Sequence, residues 1–531
     1  MVRGRTSGWL GRRFAGAPRV ACGLLAAWLA VGCGGGGGGD DDDDMGGVDA
    51  AAAPDAAGAP DAAPPPDAAL PPDAATRRTI NITGSVRYVT DSGEVTRPID
   101  FSSATIEALV PDGAGDFDVY SGTGAVGSAS IPDVPAGTRY YLRVNDRYLV
   151  TGASTVDLSR VEWGRPDATA SGSGSTITFN VTGLGAWNAL DELQIISSNL
   201  GEVAFADDDL TNGPAVGATA LAGATYDWSG RPLIQGTTAG DRLAMTQLSS
   251  VTTGGLSYRV ATKFYTAPSF EQSSGVGTTL SGAFADIVRD GTASFDWRRS
   301  QFASLVTDAN PRAQHGMDYL YVSPLPKANV YGPYGNAPDL LQIFLGEPVD
   351  DVNTGTLNFG NPFGSGWDVL GQVYTAYSTE YSVGTASPGR LYCAITQTEP
   401  IATFATSPIR PRVGPIGNFA IDGSSAFDAL LNVGLTPTLS WSPPSVGDAD
   451  YYGIDVYKLG DVGGETRFAF VASLVTRDTE LQIPPGVLQP LGSYVFLAGA
   501  FRAPGRSIET APYSPVPSFA SACSMSEPMV P

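Results

Sequence analysis

The chain has 531 residues, a formal net charge of −23 and a single histidine. This excess of acid excludes nucleic acid and anionic membrane surfaces as partners held by charge. With 66 glycines, 40 prolines and only 16% charged residues, the composition suits an exported β-rich chain with room for about three domains.

Residues 1–32 read as a secretory signal peptide. Arg3, Arg5, Arg12, Arg13 and Arg19 precede a short apolar run, Val20 to Val31, which ends in small residues. That run is well short of the ~20 residues needed to span a hydrocarbon layer. The segment Leu29-Ala30-Val31-Gly32-Cys33 resembles the lipobox of bacterial lipoproteins, with its leucine one place early. The resemblance implies cleavage before Cys33, a diacylglycerol on its sulfur, and a membrane partner reached through that lipid anchor. The protein would then be an outer-membrane lipoprotein of the bacterial cell envelope, periplasmic or surface-exposed. The other reading is an ordinary signal peptide with a chance cysteine.

Residues 33–76 continue as a tether. Six glycines and five aspartates lead into Pro54-Asp55, Pro60-Asp61, Pro66-Asp67 and Pro72-Asp73, a six-residue repeat. Ala, Pro, Gly and Asp bury too little apolar surface to offset ordering entropy, so the expectation is a disordered spacer. Fully extended at ~3.1 Å per residue, it would reach about 130 Å. Asp40 to Asp44 are expected to be solvated, because nothing there fixes a cation-binding geometry.

From residue 77 the pattern is of short alternating runs bounded by Gly, Pro, Asn and Asp, and sustained helical periodicity is absent. The expected fold class is all-β, with several β-sandwiches in series. Residues 77–165 hold runs such as Thr79-Ile80-Asn81-Ile82-Thr83 and Arg139-Tyr140-Tyr141-Leu142-Arg143-Val144. Gly84-Ser85-Val86, Phe117-Asp118-Val119 and Val134-Pro135-Ala136-Gly137-Thr138-Arg139-Tyr140 resemble carboxypeptidase-regulatory, transthyretin-like domains. The resemblance implies a spacer or adhesion fold with no catalytic residues. Arg165 to Ser175 is rich in Gly, Ser and Ala and reads as a linker.

Residues 176–410 are expected to form one large central β domain. Short helices are expected around Ser300–Ala309 and Pro338–Leu345. Its loop aromatics Trp228, Tyr331, Tyr334 and Trp367 are candidate binding residues, since flat rings stack on sugars. Packing of these rings in the core is the competing reading.

Residues 412–520 resemble a fibronectin type III domain. Thr438-Leu439-Ser440-Trp441 matches its second strand with the core tryptophan, and Leu488-Gln489-Pro490-Leu491-Gly492-Ser493-Tyr494 matches its tyrosine corner. The resemblance implies that Trp441, Leu488, Pro490 and Tyr494 form the structural core of this unit. Residues 521–531 read as a C-terminal tail. After Cys33 only Cys393 and Cys523 remain, a candidate disulfide pair in an oxidising compartment, with two buried thiols as the alternative.

The motifs of enzyme chemistry are missing. His315 has no nucleophile elbow to serve, and beside Gly316 it reads as an exposed loop residue. Zinc sites of the usual kinds need several His or Cys ligands, and neither a P-loop nor a dinucleotide fingerprint occurs, so no metal and no cofactor is expected. Asp207-Asp208-Asp209 and Asp112, Asp116 and Asp118 depart from the spacing of a calcium loop and read as solvated turns. The expected function is a non-catalytic cell-envelope lipoprotein with a binding or structural role. Alternatives are a glycan-binding or glycan-active protein acting through the central domain, which needs only paired carboxylates, and a subunit of an envelope assembly.

Overall fold

A strand that alternates apolar and polar side chains buries one face, and pairing neighbours satisfies its backbone. A computed structural model describes residues 76–206, 209–326, 337–364 and 366–531. The signal peptide, Cys33, nearly all of the tether, Asp207, Asp208, Tyr331 and Tyr334 lie outside the described residues. The described residues are 54% strand and 4% helix, an all-β multidomain fold.

The first unit is a sandwich. Arg77–Thr83 pairs with Ser128–Pro135 and Thr155–Asp157 in one sheet. Ile106–Pro111, Phe117–Ser121, Tyr140–Val144 and Arg147–Thr151 form the facing layer. Ile80, Ile82, Ile131, Ala108, Tyr140 and Leu142 meet between them. The alternation of Ile80 and Ile82 with exposed neighbours is the period-2 pattern of a half-buried strand.

Residues 176–410 contain two hydrophobic cores. The first is a sandwich in which Thr176–Thr182, Ala220–Asp227 and Thr278–Ala283 lie over Glu192–Ser197, Ala244–Thr253 and Leu256–Thr266. It encloses Phe179, Ile195, Trp228, Met245 and Leu280. The second core lies under the strands Gln314–Pro326, Leu341–Leu345, Trp367–Tyr381 and Gly389–Pro400, and runs on into the C-terminal unit without a break.

In the C-terminal unit, Gly417–Ile421, Thr438–Ser442 and Glu480–Gln482 face Tyr451–Val462, Glu465–Thr476, Ser493–Arg502 and Phe519–Met525. Trp441 is buried edge-on to Tyr452, with ring centroids 5.4 Å apart. Tyr494 is 1% exposed, and its hydroxyl accepts the backbone N–H of Gln489 (2.9 Å). Leu488 is buried beside them, whereas Pro490, expected in this core, is exposed on the arch, where its ring shapes the turn without being packed.

One nineteen-stranded sheet runs through all these units. Ile395 to Thr398 pair with Phe519 to Ala522, joining the central strands to the last long strand. On the other side, Ser473 to Val475 pair in parallel with Arg147 to Leu149 of the first unit.

Several expectations are corrected. Residues 521–531 are no tail: Phe519–Met525 is buried along its whole length between Gly389–Pro400 and Ser493–Arg502, and Met529–Val530 pairs with Leu430–Leu431. Its apolar and small side chains, Phe-Ala-Ser-Ala-Cys-Ser-Met, suit a strand covered on both faces. Arg165 to Ser175 is no free linker. The Arg165 guanidinium donates to both carboxylate oxygens of Asp241 (3.0 Å each), and the Ser171 hydroxyl donates to the Trp228 carbonyl. Arg299–Ala303 and Val306–Ala309 are short helices, as expected. Pro338–Leu345 instead supplies the strand Leu341–Leu345, because Leu341 and Ile343 face the core while Gln342 and Phe344 face the opposite side.

Replacing Tyr494 with Phe removes one hydroxyl and leaves the Gln489 N–H without that acceptor. The expected loss is about 1–3 kcal/mol, measured by urea unfolding of the C-terminal unit's tryptophan signal.

Candidate binding face

A concentration of aromatic and polar side chains lies on one face of the central sheet. Alternation creates it. Along Gln314–Pro326, Leu320 and Val322 enter the core, so Tyr319 and Tyr321 point the other way. In the ladder, Tyr321 stands between Gln342 and Gln372, and Tyr319 between Phe344 and Tyr374. Arg259 is the ladder partner of Gln342 and holds its guanidinium 5.4 Å from the Phe344 ring centroid. Two rows result, Arg259–Gln342–Tyr321–Gln372 and Phe344–Tyr319–Tyr374–Thr396.

Tyr319 and Tyr374 form the floor, at 5% and 6% exposure, with Tyr321, Phe344, Tyr392 and Met317 half-buried around them. Tyr319 meets Phe344 and Tyr374 edge-on at 5.2 and 5.6 Å and lies parallel to Tyr321 at 6.0 Å. Such contacts lock ring orientations and add about 0.5–1.5 kcal/mol per pair beyond area burial.

A buried polar network pins the edge of this face. Gln194 Nε2 donates to Glu192 Oε1 (2.8 Å) and Asp339 Oδ2 (3.0 Å). Gln342 Nε2 donates to the same two oxygens, at 3.0 and 2.7 Å. Ser323 donates to Asp339 Oδ1 (2.9 Å), and Arg259 donates to Glu192 Oε2 (2.6 Å). Burial, and then the neighbouring Glu192 charge, push the Asp339 carboxyl up to about 7. Near neutral pH Asp339 is therefore a carboxyl that readily holds a proton, and it stands beside the Glu192 that accepts from Arg259. Paired carboxylates of unequal acidity are the raw material of acid–base catalysis. Here their facing oxygens are occupied by two glutamine amides, and both residues are buried. The arrangement is suited to holding Leu341–Leu345, and with it Gln342 and Phe344, in place.

His315 is a second correction. It sits half-buried at the start of the strand Gln314–Pro326, with Nε2 3.1 Å from Asp318 and Nδ1 3.2 Å from Glu347. Asp318 is fully buried and accepts Arg299 Nε at 2.8 Å. A bulge between His315 and Asp318 turns both toward the core. The hydrogen bond that the protonated His315 ring donates to Asp318 raises the His315 pKa above its usual value.

Of the sequence candidates, Trp228 is wholly buried, and its indole N–H donates to the Pro232 carbonyl (2.7 Å). Trp367 is 9% exposed, edge-on to Trp163 and stacked on Phe363, with its N–H donated to Asp91 (3.1 Å). Neither ring offers a free face, because each packs where two layers meet. Cys393 and Cys523 form a disulfide with Cα atoms 6.1 Å apart, and the Tyr377 hydroxyl donates to the Cys523 carbonyl. Asp112 caps its own turn by accepting the Ala114 and Asp116 N–H groups. Among the described residues no cluster of His, Cys, Asp or Glu is arranged to hold a metal. A separate cavity of about 70 Å³ lies between the first unit and Pro512-Tyr513. It has room for only a few waters, and Asp100 and Asp146 offset the charges of Arg147 and Arg160.

Sequence reasoning missed Tyr319, Tyr321, Phe344, Tyr374, Glu192 and Asp339. The signal was the alternation itself: Tyr319-Leu320-Tyr321-Val322 carries large side chains on both faces, and in Leu341-Gln342-Ile343-Phe344 the face opposite Leu341 and Ile343 still holds Phe344, which a one-sided strand does not need. Compared with known proteins, the chain matches no family model and no curated sequence.

Two pH windows follow from this chemistry. Asp339 holds its proton in the folded state up to about 7 but only to 3.8 when unfolded, so its contribution to stability falls as pH rises between those values. His315 stabilises while protonated, and that contribution is lost as pH rises from 6.5 through its raised folded value. Thermal melts from pH 4 to 9 are expected to show Asp339→Asn flattening the lower window and His315→Gln the upper one, each by a few degrees.

Proposed function

We propose that this is a non-catalytic lipoprotein of the bacterial cell envelope, anchored through Cys33, that holds a rigid binding surface away from the membrane. The observation that carries the reading is the placement of Cys33. It directly follows a basic, apolar leader and directly precedes a glycine-, aspartate- and proline-rich spacer. Acyl chains on Cys33 would each add ~0.8 kcal/mol per buried CH₂, enough for stable anchoring with two or more chains. The leaflet is that of an outer-membrane lipoprotein, facing the periplasm or the outside.

The Cys393–Cys523 disulfide supports an oxidising compartment. The hydrogen bond from Gln489 to Tyr494 and the buried Trp441 support a fibronectin type III-like C-terminal unit, and the first sandwich is read as transthyretin-like. Both are display folds. The occupied carboxylates of Glu192 and Asp339 favour a binding role over catalysis. Among the described residues no helix is long and apolar enough to cross a membrane. Nucleic acid is not a partner, and the protein works without a cofactor.

Metabolic labelling with radioactive palmitate is expected to mark the native chain and to leave Cys33→Ala unlabelled. Equal labelling of both would refute the acylation site. Thiol titration of the unfolded mature protein is expected to find no free thiol before reduction and two after it.

A further inference from the structure

We propose that the sheet face built from Phe344, Tyr319, Tyr321 and Tyr374, with Gln342, Gln372 and Arg259, is a binding site for a neutral oligosaccharide chain. This rests on the binding role proposed above and names its ligand class.

A sugar ring presents two chemistries, a face of C–H bonds and an edge of hydroxyls. The first is matched by aromatic rings, the second by planar amides and charged groups that donate and accept in one plane. Both lie here in adjacent ladder rows, a ring row of Phe344, Tyr319 and Tyr374 beside a polar row in which Arg259 and Gln372 are half-buried, while Gln342 between them is buried with its amide donated to Glu192 and Asp339 and supports the row. The rings reach the surface at the half-buried Tyr321, Phe344 and Tyr392, and Gln372 is half-buried beside them.

The face is also preorganised. Tyr319 is held edge-on by two rings, Gln342 by Glu192 and Asp339, and Arg259 by Glu192 and the Leu190 carbonyl (2.6 Å). Side chains fixed before the ligand arrives spend little entropy on binding it.

Charge selects among glycans. Arg259 is already matched by Glu192, Arg390 beside Tyr392 is matched by Glu380, and the whole chain carries −23. An anionic polysaccharide would be repelled, whereas a neutral one pays no such cost. A protein partner of matching apolar character is the competing occupant. It would use the rings alone, and the face would then bind none of the sugar probes.

The test uses the full mature lipoprotein in detergent and four neutral probes, cellohexaose, xylohexaose, maltohexaose and chitohexaose, in isothermal titration. At least one is expected to bind with a Kd under about 1 mM, or tighter than about −4 kcal/mol. Tyr321→Ala and Phe344→Ala should each weaken it tenfold or more, while Val216→Ala, on an exposed residue elsewhere, should not. Should Tyr321→Ala fail to fold, Tyr392→Ala at the margin of the face serves in its place, judged by an unchanged thermal midpoint. Absence of binding to all four probes at 10 mM, or binding indifferent to these substitutions, overturns the proposal. So does a face that proves to be a dimer interface, with Tyr321→Ala dissolving a dimer that binds no probe. None of these results touches palmitate labelling at Cys33, so failure here and failure of the anchor are told apart.

Discussion

The architecture depends on the pairing of one strand, Phe519–Met525. Its N–H and C=O groups are shared between Gly389–Pro400 on one side and Ser493–Arg502 on the other, and both of its faces are covered. A backbone buried this way must find every hydrogen bond in its neighbours, because water cannot supply them. The ladder therefore does more than join two units. It makes the sheet of the C-terminal sandwich and the sheet bearing the aromatic face a single surface, and Cys393–Cys523 fastens the same seam covalently.

That continuity explains the character of the aromatic face. A sheet that shields one core on its inner side can carry function on its outer side without compromising stability. Val373, Ile395, Leu341 and Ile343 fill the core, and the residues between them are released for other work. Glu192, Gln194, Asp339 and Gln342 form an expensive element of this sheet. Burying two carboxylates is costly unless every lone pair is met, and the paired glutamine amides meet them.

Much of the fold was legible because it is written in period 2. Ile80 and Ile82, Leu439 and Trp441, and the corner from Leu488 to Tyr494 all announce half-buried strands and their turn, and each occupies that place. What was illegible depends on distant partners. Arg165 looks like the start of a flexible stretch until Asp241 lies against it, far along the chain. The final residues look like a tail because they are small and lack strong alternation, which is what a strand buried on both faces requires. The aromatic face was hidden for a related reason. Trp228 and Trp367 are conspicuous as letters, but large indoles are drawn into layer junctions. Tyr319 and Tyr321 differ from core tyrosines only in the identity of the residues between them. Glu192 and Asp339 could not be paired from sequence, because only the folded sheets bring them together.

The parallel pairing of Arg147 to Leu149 with Ser473 to Val475 has a kinetic meaning. Arg139 also reaches Glu509, a contact spanning 370 residues. Contacts of such separation carry a large loop-closure cost before they return any stability, so they form late. The first unit emerges early from the ribosome, yet one edge of its sheet stays open until nearly the entire chain has been made. An open edge is also a site for wrong pairing with other chains. A protein wired in this manner matures on the far side of its synthesis, only after its own last strands arrive to close what its first strands began.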